Sequence, residues 1–377
     1  MRKLMFILFC LTAMIACSQR ADPVAEHGAV IDQVQQEHLL SPREIKKRYL
    51  SLAFSTLCPA VPTPGPTGWG AGDEAGNTNT QGAGTACRAG LVQSLMAREG
   101  KLYRLDHVFV PGASPSSPFG APLSVTPAPT FCLEPPLFPY ATRFCGHSET
   151  VSGDVGGQGT QLDFFGHAGR RADPTDDPSE TVFYNGFEAP EVFAGALGAD
   201  KVKPINTIGI LLDARKLNGG VPLGPDDVVT KANVWQMMAD QDLLWLGFPA
   251  GAAVFIYTGK GAGWDSDPVY YLSGPGVAAD VVTDIYVPNT IVYHGLDNPF
   301  SDQADLINGV FASGTDPLDP FPVHAETLTH GILQSQNLNL EELAADEVYL
   351  FSVQLAAPRI AGAKGFMVSP VAFGAPW

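Results

Sequence analysis

The chain has 377 residues, 45% of them apolar, with 40 glycines and 32 prolines, a length that suits one large domain or two ordinary ones. Its formal charge is −17 although only 16% of its residues are charged, so acids outnumber bases on a surface of low charge density. Nucleic-acid binding needs a basic footprint on phosphates, and this balance argues against that class.

Met1-Arg2-Lys3 is a short basic start, and Leu4 to Ile15 is an apolar run too short to span a bilayer. It ends in Ala13-Met14-Ile15-Ala16-Cys17. A small residue before a Cys after such a run resembles a bacterial lipobox, with Cys17 as the lipidated N-terminus; the alternative is an ordinary signal peptide with an incidental Cys. With Ser18 and not Asp after Cys17, the expected location is the cell envelope, lipid-anchored at the outer membrane and facing the periplasm. Stable anchoring takes more than one acyl chain, which a diacylated Cys supplies. Once Cys10 leaves with the signal and Cys17 takes lipid, Cys58, Cys87, Cys132 and Cys145 remain. An even count in an exported chain predicts two disulfides, with three possible pairings. Proximity favours Cys58–Cys87 with Cys132–Cys145. A thiolate metal site is the weaker reading, since no C-x-x-C pair exists.

Taken in chain order, Ser41-Pro42-Arg43-Glu44 predicts a helix start, with Ser as cap and Pro at the first position. Residues 59–84 read as a Pro- and Gly-rich loop. A short amphipathic helix over 90–100, a strand over 102–110 and a long surface loop over 111–140 follow. A helix over 190–197, a buried strand over 205–212, a helix over 226–238 and a strand over 252–258 come next. Strands over 281–287 and 291–293, short helices over 327–330 and 340–345, and a strand over 348–355 complete the pass. The expected organisation is a signal peptide over 1–16, a lipidated tether over 17–43, and one domain over 44–377 with insertions near 59–84 and 111–140. Strands and helices interleave without a strict βαβ rhythm, which gives a mixed class, α/β or α+β.

The stretch Gly157-Gln158-Gly159-Thr160-Gln161-Leu162-Asp163-Phe164-Phe165-Gly166-His167 sets a carboxylate four residues before an imidazole in a Gly-rich run. Such a pair can present ligands to a metal or a base to a substrate; the plainer reading is a loop Asp and a surface His. Further on, His324 precedes a short helix and is either a ligand or a satisfied histidine. His330 suits the helix end as a dipole-compatible cap, and Glu341 and Glu342 suit the first turn of the next helix. Trp69, in the loop Trp69-Gly70-Ala71-Gly72-Asp73-Glu74-Ala75-Gly76-Asn77-Thr78-Asn79, reads either as a packing anchor or as a pocket wall.

Several blocks together resemble the cyclase family that contains kynurenine formamidase and isatin hydrolase, over roughly residues 69–377. The opening resembles W-G-x-x-D-E-x-G-x-x-N at Trp69, Gly70, Asp73, Glu74, Gly76 and Asn79. Ile208-Gly209-Ile210-Leu211-Leu212-Asp213 resembles its R-G-V-L-L-D strand, and Thr258-Gly259 with Trp264 its T-G element. His324, Gly331 and Asn337-Leu338-Asn339-Leu340 keep a later frame, and Gly362, Gly365, Val368, Pro370 and Ala372 the ending. The resemblance implies a kynurenine formamidase-like swivelling β/β/α domain and metal-dependent hydrolysis of a cyclic or aryl amide, lactam or lactone. The family signature H-x-G-T-H-x-D-x-x-x-H falls on 157–167, where Asp163 and His167 match but Gly157 and Gln161 stand in place of histidines. This is a G-T-Q-x-D variant. Gln336 stands in place of the family's Glu.

Carried over, Asp163, His324, Gln161 and Gln336 are the candidate ligands of one weakly held divalent ion, Mn, Zn, Mg or Ca. An equal alternative is no metal at all, with water activated by His167 and oriented through Asp163. Trp69, Phe164, Phe165 and Tyr184 are candidate substrate-binding residues for a flat small molecule. The competing class is a non-catalytic lipoprotein that binds a small molecule in a degenerate site. The implied partners are that small molecule, the membrane through Cys17, and a second copy in a homo-oligomer.

Overall fold

The computed structural model describes residues 41–376; the expected signal peptide and the expected lipidation site Cys17 lie outside the described residues. Among the described residues no helix is long and apolar enough to cross a membrane.

Helix α1, Pro42–Thr56, starts as the sequence predicts: the Ser41 hydroxyl accepts the Glu44 amide at 3.2 Å. It packs on α2, Ala83–Met96. That helix begins seven residues before the predicted Gly90, because Gly82 and the Thr85 hydroxyl bond reciprocally and close its N-terminus. Its first turn also rides directly on the preceding loop: a Cβ at Gly84 would lie 2.6 Å from the Pro59 carbonyl oxygen. Cys58–Cys87 ties the end of α1 to the middle of α2.

A nine-stranded mixed sheet forms the core. In chain order its strands are β1 (Lys101–Arg104), β2 (Gln161–Asp163), β3 (Ile205–Asp213), β4 (Ala253–Tyr257) and β5 (Tyr293–Leu296), followed by β6 (Leu333–Gln336), β7 (Leu350–Leu355), β8 (Gly365–Met367) and β9 (Val371–Gly374). Their spatial order is β1-β9-β7-β3-β4-β5-β6-β2-β8. The run β3-β4-β5-β6 is parallel and the flanking pairs are antiparallel. The four parallel strands are almost wholly buried, and β3 and β4 are largely apolar on both faces, as strands covered on both sides are. The fold is thus the mixed helix-and-strand class that the sequence predicts.

Two elements differ in type from the sequence reading. Residues 281–287, predicted as a strand, are helical from Ala279 to Tyr286. Val281, Val282, Ile285 and Tyr286 are buried while Thr283 and Asp284 face solvent, a helical spacing masked by β-branched residues. Residues 111–140, predicted as loop, hold half of a two-stranded ribbon. Ser124–Pro127 pairs antiparallel with Glu149–Ser152, and beyond it Phe131–Cys132 pairs with Cys145–Gly146. Both faces of the lower pair are exposed, and the Cys132–Cys145 disulfide closes the upper one. Both disulfides join the cysteines that proximity favoured.

Other elements shift in extent. The helix predicted from 226 is α3, Lys231–Asp240, capped by the Thr230 hydroxyl on the Asn233 amide. Strand β1 stops at Arg104, after which His107 leaves the sheet to bond Thr160 through its amide and to stack on Trp264 at 4.9 Å. Helix α4 runs Pro322–Thr329 and α5 runs Glu341–Ala345. Gly331, just past α4, sits at φ +73°, and its carbonyl accepts the Asn77 amide at 2.8 Å. A Cβ on it would lie 3.0 Å from the Gly76 Cα. This close approach of two backbones requires glycine on both sides.

Candidate functional site

Alternation along β2 puts Gln161 and Asp163 on one face of the sheet and Leu162 on the other. The neighbouring β6 pairs with it so that Gln334 faces Asp163 and Gln336 faces Gln161. One face of this strand pair therefore carries three carboxamides around a single carboxylate. On the opposite face Leu162 and Leu333 line an apolar cavity of about 150 Å³.

Asp163 is fully buried and accepts an N–H from each of the three carboxamides: Gln161 at 3.3 Å, Gln334 at 3.2 Å and Gln336 at 3.0 Å. Gln161 also donates to the Gln336 carbonyl oxygen at 2.5 Å. The Gln334 carbonyl oxygen takes the Thr327 hydroxyl at 2.9 Å, which pins α4 to β6.

Helix α4 delivers His324. Its Nδ1 lies 2.6 Å from Asp302, whose carboxylate also accepts the Val323 amide at 2.7 Å and the His324 amide at 3.2 Å. Asp302 thus caps the helix and fixes the imidazole together. His324 Nε2 meets the Gln336 amide nitrogen at 2.9 Å and lies 3.9 Å from Asp163. The neutral ring satisfies this arrangement, with Nδ1–H donated to Asp302 and Nε2 accepting from Gln336. Burial alone would lower the pKa of His324, but the Asp302 hydrogen bond and the charges of Asp302 and Asp163 outweigh it and raise the pKa above its ordinary value.

His167, at the turn after β2, is the accessible member. Its amide closes onto the Phe164 carbonyl, and its Nδ1 stands 3.8 Å from Asp163. The His167 and His324 ring centres are 6.5 Å apart. Asp163, His167, His324, Gln161 and Gln336 are therefore brought together from positions more than a hundred and fifty apart in the chain.

Each of the aromatic candidates has partners within the fold. Phe164 and Phe165 are fully buried in the core, so the substrate contact expected of them gives way to packing. Trp69 donates to Asn77 at 2.9 Å, and Tyr184 donates to Asp73 at 2.7 Å. Asp73 also takes the Gly76 amide and the Asn79 side chain, and Glu74 takes the Leu197 amide. The whole 69–79 block is a hydrogen-bonded brace behind Phe165 and Gly331.

Two groups escape a reading of motifs. Asp302 lies 22 positions before His324 with no marker in its own stretch. Gln334 could have been found, because strand alternation puts it on the same face as Gln336. His294 on β5 pairs with Gln334 and is fully buried; burial above all, with the charge on His324 when that ring is protonated, holds its pKa down to about 3, so it is neutral.

The donor set does not fit a divalent cation. It holds one carboxylate, and three N–H donors already occupy it. The Gln334 and Gln336 carbonyl oxygens are turned to Thr327 and Gln161, and His324 Nε2 is taken up by Gln336. Position 157 offers no side chain, and a Cβ there would lie 2.6 Å from Asp154. Divalent ions require several oxygen or imidazole ligands with free lone pairs, and among the described residues no cluster of three His, Cys, Asp or Glu could hold one.

No protein-family model matches the chain, and no curated protein matches it. Solved structures do. A structure described as a novel cyclase superposes with a TM-score of 0.63 at 22% identity, covering 81% of this chain and 95% of that one. Isatin hydrolase A from Labrenzia aggregata, bound to benzyl benzoate, superposes with a TM-score of 0.50 at 15% identity, covering 76% of this chain and 98% of that one. Over more than three quarters of its length, the chain therefore has the fold of that cyclase and of isatin hydrolase A.

Proposed function

We propose that the chain hydrolyses a cyclic or aryl amide, lactam or lactone, using a water activated by histidine and no divalent cation. The observation that carries this reading is the Asp302–His324 pair set beside Asp163 and the open His167. A base or acid whose far nitrogen is fixed by a carboxylate is the usual arrangement for proton transfer. His167 faces solvent and takes the proton from water, with Asp163 standing 3.8 Å from its Nδ1. His324, protonated at Nε2, donates to the substrate carbonyl, which takes the place of the Gln336 contact. As the carbonyl re-forms, its oxygen returns that proton to His324, the bond to the leaving nitrogen or oxygen breaks, and the leaving atom takes the proton held by His167. The carboxamides hold Asp163 in one orientation throughout.

The same proposal places the mature chain in the bacterial envelope, anchored through Cys17. A specific observation favours a second reading, a small-molecule binder without chemistry: three carboxamide N–H groups already occupy Asp163.

The two are separated by assaying the full chain with an N-aryl formamide and a five-membered aryl lactam, with and without EDTA. Turnover is expected, unchanged by EDTA, and Tm is expected to stay fixed when millimolar Mn²⁺, Zn²⁺ or Ca²⁺ is added. A bound ion would instead raise stability with concentration, by about 2.7 kcal/mol at a hundred times its Kd. Tight binding of either compound without turnover favours the binder.

A further inference from the structure

The cavity behind the site strands has an apolar floor and a basic mouth. Leu162 and Leu333 reach it from β2 and β6, and Ile205 and Leu355 from β3 and β7; all four are buried. Ile205 and Leu355 are directly paired across the two antiparallel strands. The segment that leads into β3 therefore lies beside the segment that leaves β7. That register brings Lys203 and Arg359 to one cavity although they are far apart in the chain. Each is exposed, so each stands at the open side. Pro204 follows Lys203 and Pro358 precedes Arg359, and a proline ring restricts the backbone beside each cation. The Lys203 amide is also tied to the Thr78 hydroxyl at 3.1 Å.

Among the described residues neither cation is paired with a carboxylate. Lys47, Lys101, Arg170, Arg215, Lys216 and Lys231 all are, and Asp200 and Glu74 go to Lys201 instead. In a chain with 39 acids and 22 bases, two unneutralised cations at one opening set up a local field opposite in sign to that of the whole molecule. We propose that this cavity binds a free aliphatic monocarboxylate, with its tail among the leucines and its carboxylate at Lys203 and Arg359. A dry apolar cavity of about 150 Å³ holds a body of about six carbons. Ammonium and guanidinium groups make charge-assisted hydrogen bonds to a carboxylate, which a neutral head matches only weakly and a cationic head not at all. The site lies on the sheet face away from Asp163, so it does not rest on the hydrolytic reading.

The test is calorimetric titration of the full chain at pH 7 with sodium butanoate, hexanoate, octanoate and dodecanoate, and with hexylamine and 1-hexanol. Affinity is expected to rise about 15-fold from butanoate to hexanoate, at about 4-fold per buried methylene, and to level off beyond octanoate, where the tail outgrows the cavity. Hexanoate is expected to bind about 10-fold or more tightly than hexylamine, whose charge the two cations repel. Lys203→Gln and Arg359→Gln are each expected to weaken hexanoate about 3- to 10-fold and to leave 1-hexanol unchanged. Arg143→Gln, at an exposed cation on the ribbon, changes neither. Ala357 also lines the cavity, and Ala357→Phe, which fills it with a ring, is expected to abolish binding. Both charge variants sit at exposed positions, so their result stands whatever Ala357→Phe does to Tm. Absence of hexanoate binding, equal binding of hexanoate and hexylamine, full affinity in both charge variants, or a rise that continues undiminished to dodecanoate overturns the site.

Discussion

Asp302→Asn is expected to lower turnover about 10²- to 10⁴-fold, the range that a positioned acid or base contributes. An asparagine oxygen can still accept the Val323 amide, so α4 keeps most of its cap. What it loses is the charge against His324 Nδ1. Burial pulls the pKa of His324 down and Asp302 is the foremost group pulling it up. In the wild type the raised pKa keeps His324 protonated to a higher pH than a free histidine, and activity that needs this proton is lost only above that pKa. With asparagine the pKa falls, so the alkaline limb of the pH–rate profile moves to lower pH. A profile from pH 5 to 9, with Tm measured alongside, checks this. A merely structural role would depress turnover at every pH and leave the limb in place.

The largest expected effect on stability is at Cys58–Cys87. Its cysteines are 29 positions apart, and closing a loop of that length restricts the unfolded chain by about 3 to 4 kcal/mol in the chain-entropy account. It joins the end of α1 to α2, and α2 packs directly on β3, β7 and β9. The double variant Cys58→Ser, Cys87→Ser is expected to lose about that amount in urea denaturation, a large share of the ~5–15 kcal/mol that holds an ordinary domain together. The Cys132–Cys145 bridge closes a loop of 13 positions, worth about 3 kcal/mol in the same account, but it sits on an exposed ribbon that can open without the core, so a smaller loss is expected when that pair is substituted. Equal losses from the two pairs would contradict the packing described for α2.

Much of the core was legible because the apolar runs at 205–212 and 252–258 are too continuous for anything but buried strands. The Ser41 cap and the two disulfides were legible from local chemistry and spacing. The failures have physical causes. The run at 281–287 is short and β-branched, and only burial of alternating pairs separates helix from strand there. The ribbon inside 111–156 is built of Pro, Ser and Thr, a composition that reads as loop. At the site, Asp163, His167 and His324 were visible as residue types, but their wiring was not. Read alone, Gln161 and Gln336 suggest weak ligands; folded, they donate to the very carboxylate that they would have assisted. Asp302 was invisible because its partner lies on a different element, and only folding brings the helix start to it. The T-G element proved to be scaffolding: the Thr258, Gly259 and Gly261 amides all converge on the buried Asp297.

The closed ribbon also dictates how the molecule comes apart under limited proteolysis. Arg143 is exposed and lies between the bridged Cys132 and Cys145, so trypsin can sever the backbone there without releasing either piece. The nicked protein travels as one band on a non-reducing gel and as two after thiol treatment, the larger carrying every residue assigned to proton transfer.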